Sequence, residues 1–116
     1  MHIAVPVTQS GVVAPGWGRA QHVAMAEVSN GEIAGWRVFD VNWHALHDEG
    51  TEGAHHARIV RFLLDNEIDG VVVEHMGEGM TRMLATMGIP VSLGAEGDAR
   101  SAVLVMGRQF STATDA

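Results

Sequence analysis

Short apolar runs separated by glycine clusters set the outline of this chain. Ile3, Ala4, Val5 and Val7 predict a strand that enters a loop at Thr8-Gln9-Ser10-Gly11, and Pro15, Gly16 and Gly18 punctuate that loop. Residues 22–28 read as a second strand and residues 32–41 as a third, joined by Asn30-Gly31. Asn-Gly between two apolar runs is a strong hairpin signal, because both central positions of a type I′ turn need positive φ. The phase of the third strand slips near Gly35-Trp36, which predicts a bulge. Residues 42–53 read as loop. Ile59, Val60, Leu63 and Leu64 then recur at helical spacing, which predicts a helix over 54–66. Residues 68–73 form a β-branched run, as a buried central strand should. A second glycine loop covers 74–79, and a helix is expected over 80–87, closed by Gly88 and Pro90. A short strand at 90–93 follows, then a last helix from a cap at Asp98 to about Met106. The tail, 107–116, is small and polar and is expected to be flexible.

The predicted order is β-β-β-α-β-α-β-α. Strand–helix–strand alternation in the second half argues parallel pairing with right-handed crossovers. The hairpin contributes one antiparallel strand. The expected fold is therefore α/β, a mixed five-stranded sheet with flanking helices, in one domain spanning 1–106.

Composition narrows the function. The 116 residues are 47% hydrophobic and 18% charged, enough to build one core without disorder. The net charge is −7, with seven basic residues, all arginine. That balance argues against nucleic-acid backbone and against anionic membranes, both of which select basic surfaces. No run approaches the ~20 apolar residues of a membrane span, and nothing reads as a signal peptide, so the cytoplasm is the expected compartment. With no cysteine, neither a zinc-thiolate site nor a thiolate-held iron–sulfur cluster is available. Seven histidines are the unusual count.

If the first, third and fourth strands are parallel, the loops leaving their carboxyl ends share one edge, where open α/β sheets bind ligands. Those loops and adjoining helix starts hold His44, His47, His55, His56 and His75. Glu74-His75-Met76-Gly77-Glu78-Gly79 joins a buried strand to a helix start. It is either a tight turn or a place where bare backbone and free amides receive an anion. His55 and His56 differ by about 100° around their helix, so they do not easily share one metal. His56 falls with Ile59, Val60 and Leu63 and reads as a covered histidine; His55, nearer the edge of that face, is the better ligand candidate. His44 and His47 are either ligands or solvated side chains, and His75 is either a ligand or a strand-end residue paired with a carboxylate. His2 and His22 read as structural or exposed. Met80, Met83 and Met87 follow core periodicity, whereas Met76 lies in the loop. Trp17 is either an anchor or a lid, and Arg19 either pairs with a surface acid or neutralises an anionic ligand.

Met1-His2-Ile3-Ala4-Val5-Pro6-Val7, Gly16-Trp17-Gly18-Arg19-Ala20, Asn30-Gly31, Gly53-Ala54-His55-His56-Ala57-Arg58 and Gly77-Glu78-Gly79 occur in an order and spacing that resembles the dinitrogenase iron–molybdenum cofactor biosynthesis domain family, NifX/NifB C-terminal type. The resemblance covers roughly 1–106. It implies a ribonuclease-H-like three-layer fold and the binding or carriage of an iron–molybdenum cofactor precursor or other molybdenum cluster. Such clusters bring their own sulfide and are anionic. Backbone amides, an arginine and a histidine or two could hold one without cysteine. The family's first loop typically reads His-Phe-Gly-Arg-Ala, and here Gly16 and Trp17 replace its first two residues. His55 matches the histidine of the family's His-Gly pair, with His56 in place of the glycine. Members occur without nitrogenase, so nitrogen fixation itself is not implied.

The expectation is a small non-catalytic protein that binds a metal or metal–sulfur cofactor, a molybdenum- or iron-containing sulfur cluster. Cofactor contacts fall on Gly16, Trp17, Gly18, Arg19, His75, Met76, Gly77 and Gly79, and metal ligation on His55, His47 and His44. A protein client or homodimer would complete it. Two competing readings remain. One is a hydrolase using histidine-bound metal with Glu74; nuclease action lacks the carboxylates on the first strand. The other is an interaction module with no cofactor, whose loop tryptophans form a contact surface.

Overall fold

The computed structural model describes residues 1–46 and 50–115. Strands β1 (His2–Val7), β2 (His22–Ser29) and β3 (Glu32–Asp40) come first, followed by a short helix α1 (Trp43–Leu46) and the helix α2 (Glu52–Asp65). Then come β4 (Gly70–Val72), α3 (Glu78–Thr86), β5 (Val91–Ser92) and α4 (Ala99–Asp115). The sheet order is β3-β2-β1-β4-β5. β2 runs antiparallel to both β1 and β3, whereas β4 is parallel to β1 and to β5. The carboxyl ends of β1, β3, β4 and β5 therefore share one edge.

Asn30 and Gly31 both have positive φ, 55° and 77°, and Ser29 pairs with Glu32 across them, as the hairpin pattern requires. The bulge falls one residue earlier than expected: Ile33 opposes Val28, Gly35 opposes Glu27, and Ala34 is left between. Alternation divides the core. Ala4, Val23, Val71 and Val73 face α2 and α3 through Ile59, Leu63, Met80 and Leu84. Ile3, Val5, Ala24, Ala26 and Val72 face α4 through Ala99, Val103 and Phe110. The result is three layers.

Three boundaries differ from expectation. The segment read as loop after β3 contains α1, because Trp43 is buried and holds a helical turn against the core. α2 starts at Glu52, two residues early, because the Thr51 hydroxyl accepts from Ala54 N–H at 3.0 Å. α4 does not stop near Met106. It continues to Asp115, and its residue Phe110, assigned from sequence to a flexible tail, is 4% exposed in the core.

Asp98 caps α4 as expected. Its Oδ2 accepts from the Ser101 N–H and from the Ser101 hydroxyl, both at 2.9 Å. The Ser101 backbone bond, then the hydroxyl bond, hold this carboxyl below the ordinary carboxylate range. A depressed native value stabilises the fold above the unfolded carboxylate range, and the contribution is lost as pH falls through the native value. Melting temperature measured against pH is therefore expected to fall more steeply on the acid side for the wild type than for Asp98→Asn, and the two curves are expected to converge at low pH.

Candidate functional site

The loops at the carboxyl edge enclose a cavity of about 340 Å³. The loop after β1 contributes Gly16, Trp17, Gly18 and Arg19. The start of α2 contributes Glu52, His55 and His56, and the segment from β4 into α3 contributes His75, Met76, Gly77, Gly79 and Met80. Every cofactor-contact candidate of the sequence reading thus lines one chamber. A larger cavity, about 860 Å³, lies at the opposite, amino edge against Ile89, Pro90 and Phe110; Asp69 and Thr81 are the polar side chains on its wall. It lacks convergent donors.

Trp17 is an anchor, not a lid. It is 1% exposed and meets Trp43 edge-on at 5.2 Å between ring centroids. Trp43 in turn meets Phe62, and Phe62 meets Phe39, so an aromatic chain ties the loop to α2 and the sheet. The two loop tryptophans are consequently unavailable as an outer contact surface. The indole Nε1 of Trp17 is buried without a hydrogen-bond partner among the described residues.

His55 is the buried histidine of α2, on one face with Ile59 and Leu63, each spaced by four. Its Nε2 lies 2.8 Å from the carbonyl oxygen of Gly18, and its Nδ1 lies 2.8 Å from Arg58 Nη1. A carbonyl only accepts and a guanidinium only donates, so Nε2 carries the proton and Nδ1 accepts. Both nitrogens are engaged within the protein. This side chain fastens the loop 16–19 to α2, and Arg58 extends the clasp to the Leu46 carbonyl at 3.4 Å.

His56, read from sequence as covered, instead lines the chamber. Its ring carbon Cε1 lies 3.8 Å from where a Cβ on Gly79 would stand, so it spans from α2 to α3. Glu52 Oε1 lies 3.9 Å from its Nε2. His75 lines the chamber and is exposed; Met76 and Met80 line it while 6% exposed, with Met80 in the core as its periodicity required. His44 is exposed on α1 and does not line the chamber. His47 lies outside the described residues. Among the described residues, no three of His, Cys, Asp and Glu come together to hold a bare metal ion.

The chamber is instead rich in donors. Gly77 caps α3 with no side-chain bond, so the first-turn amides are open to a ligand. α2 also points its start here. Two helix N-termini, each equivalent to roughly half a positive charge, favour an anion. Cβ atoms on Gly16, Gly18 or Gly77 would meet nothing within 4 Å, and none of the three has positive φ. Neither packing nor turn geometry demands glycine there; what glycine does is leave the backbone amides uncovered. Arg19 is exposed at the rim and makes no hydrogen bond or ion pair among the described residues.

A family model described as "Dinitrogenase iron-molybdenum cofactor" matches residues 1–107. No curated protein matches. Among solved structures, the apo form of the orange protein from Desulfovibrio gigas is similar at 19% identity and TM-score 0.74, covering 94% of this chain and 88% of that one. A Thermotoga protein provisionally described as NifB, of the DUF35 family, is similar at 15% identity and TM-score 0.68, with 94% and 89% covered. A Methanocaldococcus jannaschii protein provisionally described as a dinitrogenase follows at 14% identity and TM-score 0.62, with 92% and 89% covered. These likenesses establish the fold. No helix among the described residues is long and apolar enough to cross a membrane.

Proposed function

This chain belongs to the dinitrogenase iron–molybdenum cofactor family, and from that premise we propose that it is a non-catalytic, cytoplasmic carrier of an anionic molybdenum- or iron-containing sulfur cluster. The observation that carries the reading is the donor-lined chamber: two helix starts, three uncovered glycines, the orphaned Trp17 N–H and an uncommitted arginine converge on about 340 Å³. Sulfide ligands are acceptors, and this wall is mainly donors. A cluster that brings its own sulfur needs no protein thiolate, and this chain has none. The thioether of Met76 and the imidazoles of His56 and His75 are the side chains available as supplementary soft or borderline ligands.

In this reading Arg19 supplies the positive side-chain charge at the rim, and the amides and the Trp17 N–H supply fixed donors. Exposure of Arg19 and His75 leaves a path by which a client protein could take the cargo. The same reading keeps the ribonuclease-H-like classification that the family implies.

The test is anaerobic reconstitution with tetrathiomolybdate and, separately, with an extracted iron–molybdenum–sulfur cluster, followed by absorption and metal analysis. One cluster per chain with a charge-transfer band is expected. Arg19→Ala is expected to weaken loading about 10-fold or more, since a charge-assisted hydrogen bond is worth roughly 1.5–3 kcal/mol. A wild-type chain that takes up neither species would overturn the carrier reading.

A further inference from the structure

A second chamber, about 860 Å³, lies on the other side of the loop 16–19. Gly16 and Arg19 line both chambers. The other polar side chains of the second wall are Thr8, Gln9 and Ser10 in the turn after β1, and Gln21 and His22 where the chain enters β2. No carboxylate lines it, although the chain carries 14 acidic residues.

His22 departs from the structural reading that its sequence position invites. It pairs in register with Asp40 across β2 and β3, and its Nδ1 lies 2.7 Å from Asp40 Oδ1. A carboxylate accepts, so Nδ1 donates, and in the neutral ring Nε2 is left with a lone pair. That nitrogen is buried and has no partner among the described residues. A buried polar group without a partner requires an explanation. Asp40 itself is 75% exposed and belongs to an adjoining hollow, so it fixes the ring without putting charge on the chamber wall.

The neighbours of His22 are donors. Thr8 Oγ1 and Ser10 Oγ lie 3.0 Å apart, and one hydrogen satisfies that contact, so a second hydroxyl hydrogen remains available. The amides of Gln9 and Ser10 make no backbone hydrogen bond among the described residues. Arg19 makes no hydrogen bond or ion pair among the described residues.

From these groups we propose that the second chamber is a site for a protonated tetrahedral oxyanion of the hydrogen phosphate type. Its unprotonated oxygens accept from Arg19, from the Thr8–Ser10 hydroxyl pair and from the turn amides. Its single O–H donates to His22 Nε2. The two orphaned atoms thus separate the two chambers chemically. Trp17 Nε1 can only donate and suits a ligand made of acceptors; His22 Nε2, in the neutral ring with Nδ1–H turned to Asp40, accepts and selects a ligand that still carries a proton. Sulfate and molybdate carry none at neutral pH. A bare cation is disfavoured by Arg19 and by the want of a second ligand. Because Arg19 serves both walls, filling the second chamber draws its charge away from the first.

The experiment is titration calorimetry of the full chain at neutral pH and fixed ionic strength. Inorganic phosphate, sulfate and molybdate are the probes, applied to the wild type, His22→Phe and the pair Thr8→Val/Ser10→Ala. A site that needs a donated hydrogen discriminates strongly against ligands lacking one. Phosphate is expected to bind at least 10-fold more tightly than sulfate or molybdate, and both variants are expected to lose at least 10-fold. The ¹⁵N resonance of His22 Nε2 in the wild type is expected to move on phosphate addition, which gives a reading even if His22→Phe fails to fold. Cluster loading, measured on the same preparations, is expected to survive His22→Phe, so failure of the carrier reading and failure of this one are separable. Equal affinity for phosphate and sulfate, an unmoved His22 resonance or no phosphate binding would each overturn the proposal.

Discussion

Replacing His55 with alanine is expected to abolish cluster loading, whereas replacing it with glutamine is expected to preserve most of it. The expectation follows from how the ring is used. His55 is 3% exposed, donates through Nε2 to the Gly18 carbonyl and accepts through Nδ1 from Arg58. Alanine removes the donor to Gly18, takes one of the acceptors of Arg58 and leaves a void. Unsatisfied buried partners cost about 1–3 kcal/mol each, and the void adds to that. The local consequence is larger than the global one. The loop 16–19 carries two of the uncovered glycines, Arg19 and the Trp17 indole, and His55 is its hydrogen-bonded tie to α2 in the site. Glutamine can place an amide N–H near Gly18 and its oxygen near Arg58, restoring the clasp without an imidazole. A metal-ligating histidine would instead predict loss in both variants, because an amide does not replace an imidazole on a metal. Loading stoichiometry of the two variants, read beside their melting temperatures, decides between clasp and ligand. Equal loss in both would return His55 to the ligand set.

The contrast between His55 and His56 shows where sequence reading stops. The loops that meet at the carboxyl edge were legible, because strand–helix alternation and the Asn30-Gly31 turn constrain strand direction through local rules. Gly88 at φ 75° and the Asp98 cap were legible for the same reason. The burial of one of two adjacent histidines was not. It turns on a rotation of about 100°, and Val60 and Leu64 flank the true apolar line of Ile59 and Leu63 closely enough to shift its apparent centre. Thr51 as a cap was obscured by the polar turn between it and Ile59. The partner of Nε2, the Gly18 carbonyl, lies 37 residues from His55, and no periodicity carries that. His22 looked inert because its significance lies in one unpartnered atom.

From sequence, the last helix ends near Met106 and the tail begins at Gly107. Gly107 lies inside α4, and a Cβ there would stand 2.7 Å from Ile3 Cδ1. The glycine allows the helix to approach β1 and continue past it; that close approach outweighs the low helix propensity of one glycine, about 1 kcal/mol. The same closeness brings Phe110 down onto β4.

Gly70→Ala is therefore expected to be among the most destabilising single substitutions in the chain. Gly70 opens β4, a strand buried along its whole length between β1 and β5. Its φ is not positive, so conformational freedom is not the reason for glycine. The reason is space: an added Cβ would lie 2.5 Å from Phe110 Cδ2 and 2.6 Å from Cε2. The ring is 4% exposed in the α4-facing core and has no solvent to retreat into. Either the ring leaves its rotamer or α4 lifts from the sheet, and overpacking of this kind costs about 1–3 kcal/mol or more. A loss of 2–3 kcal/mol would lower the melting temperature by roughly 10–20 °C in a domain of this size. Phe110→Ala leaves a void instead and is expected to cost about 3–5 kcal/mol. The two changes share one volume, so they are expected to be strongly non-additive: in the Phe110→Ala background, Gly70→Ala should cost almost nothing. Melting curves of the wild type, both single variants and the double variant test this directly. Additive losses would mean that Phe110 does not rest on Gly70, and that the last helix is seated on the sheet by its earlier turns alone.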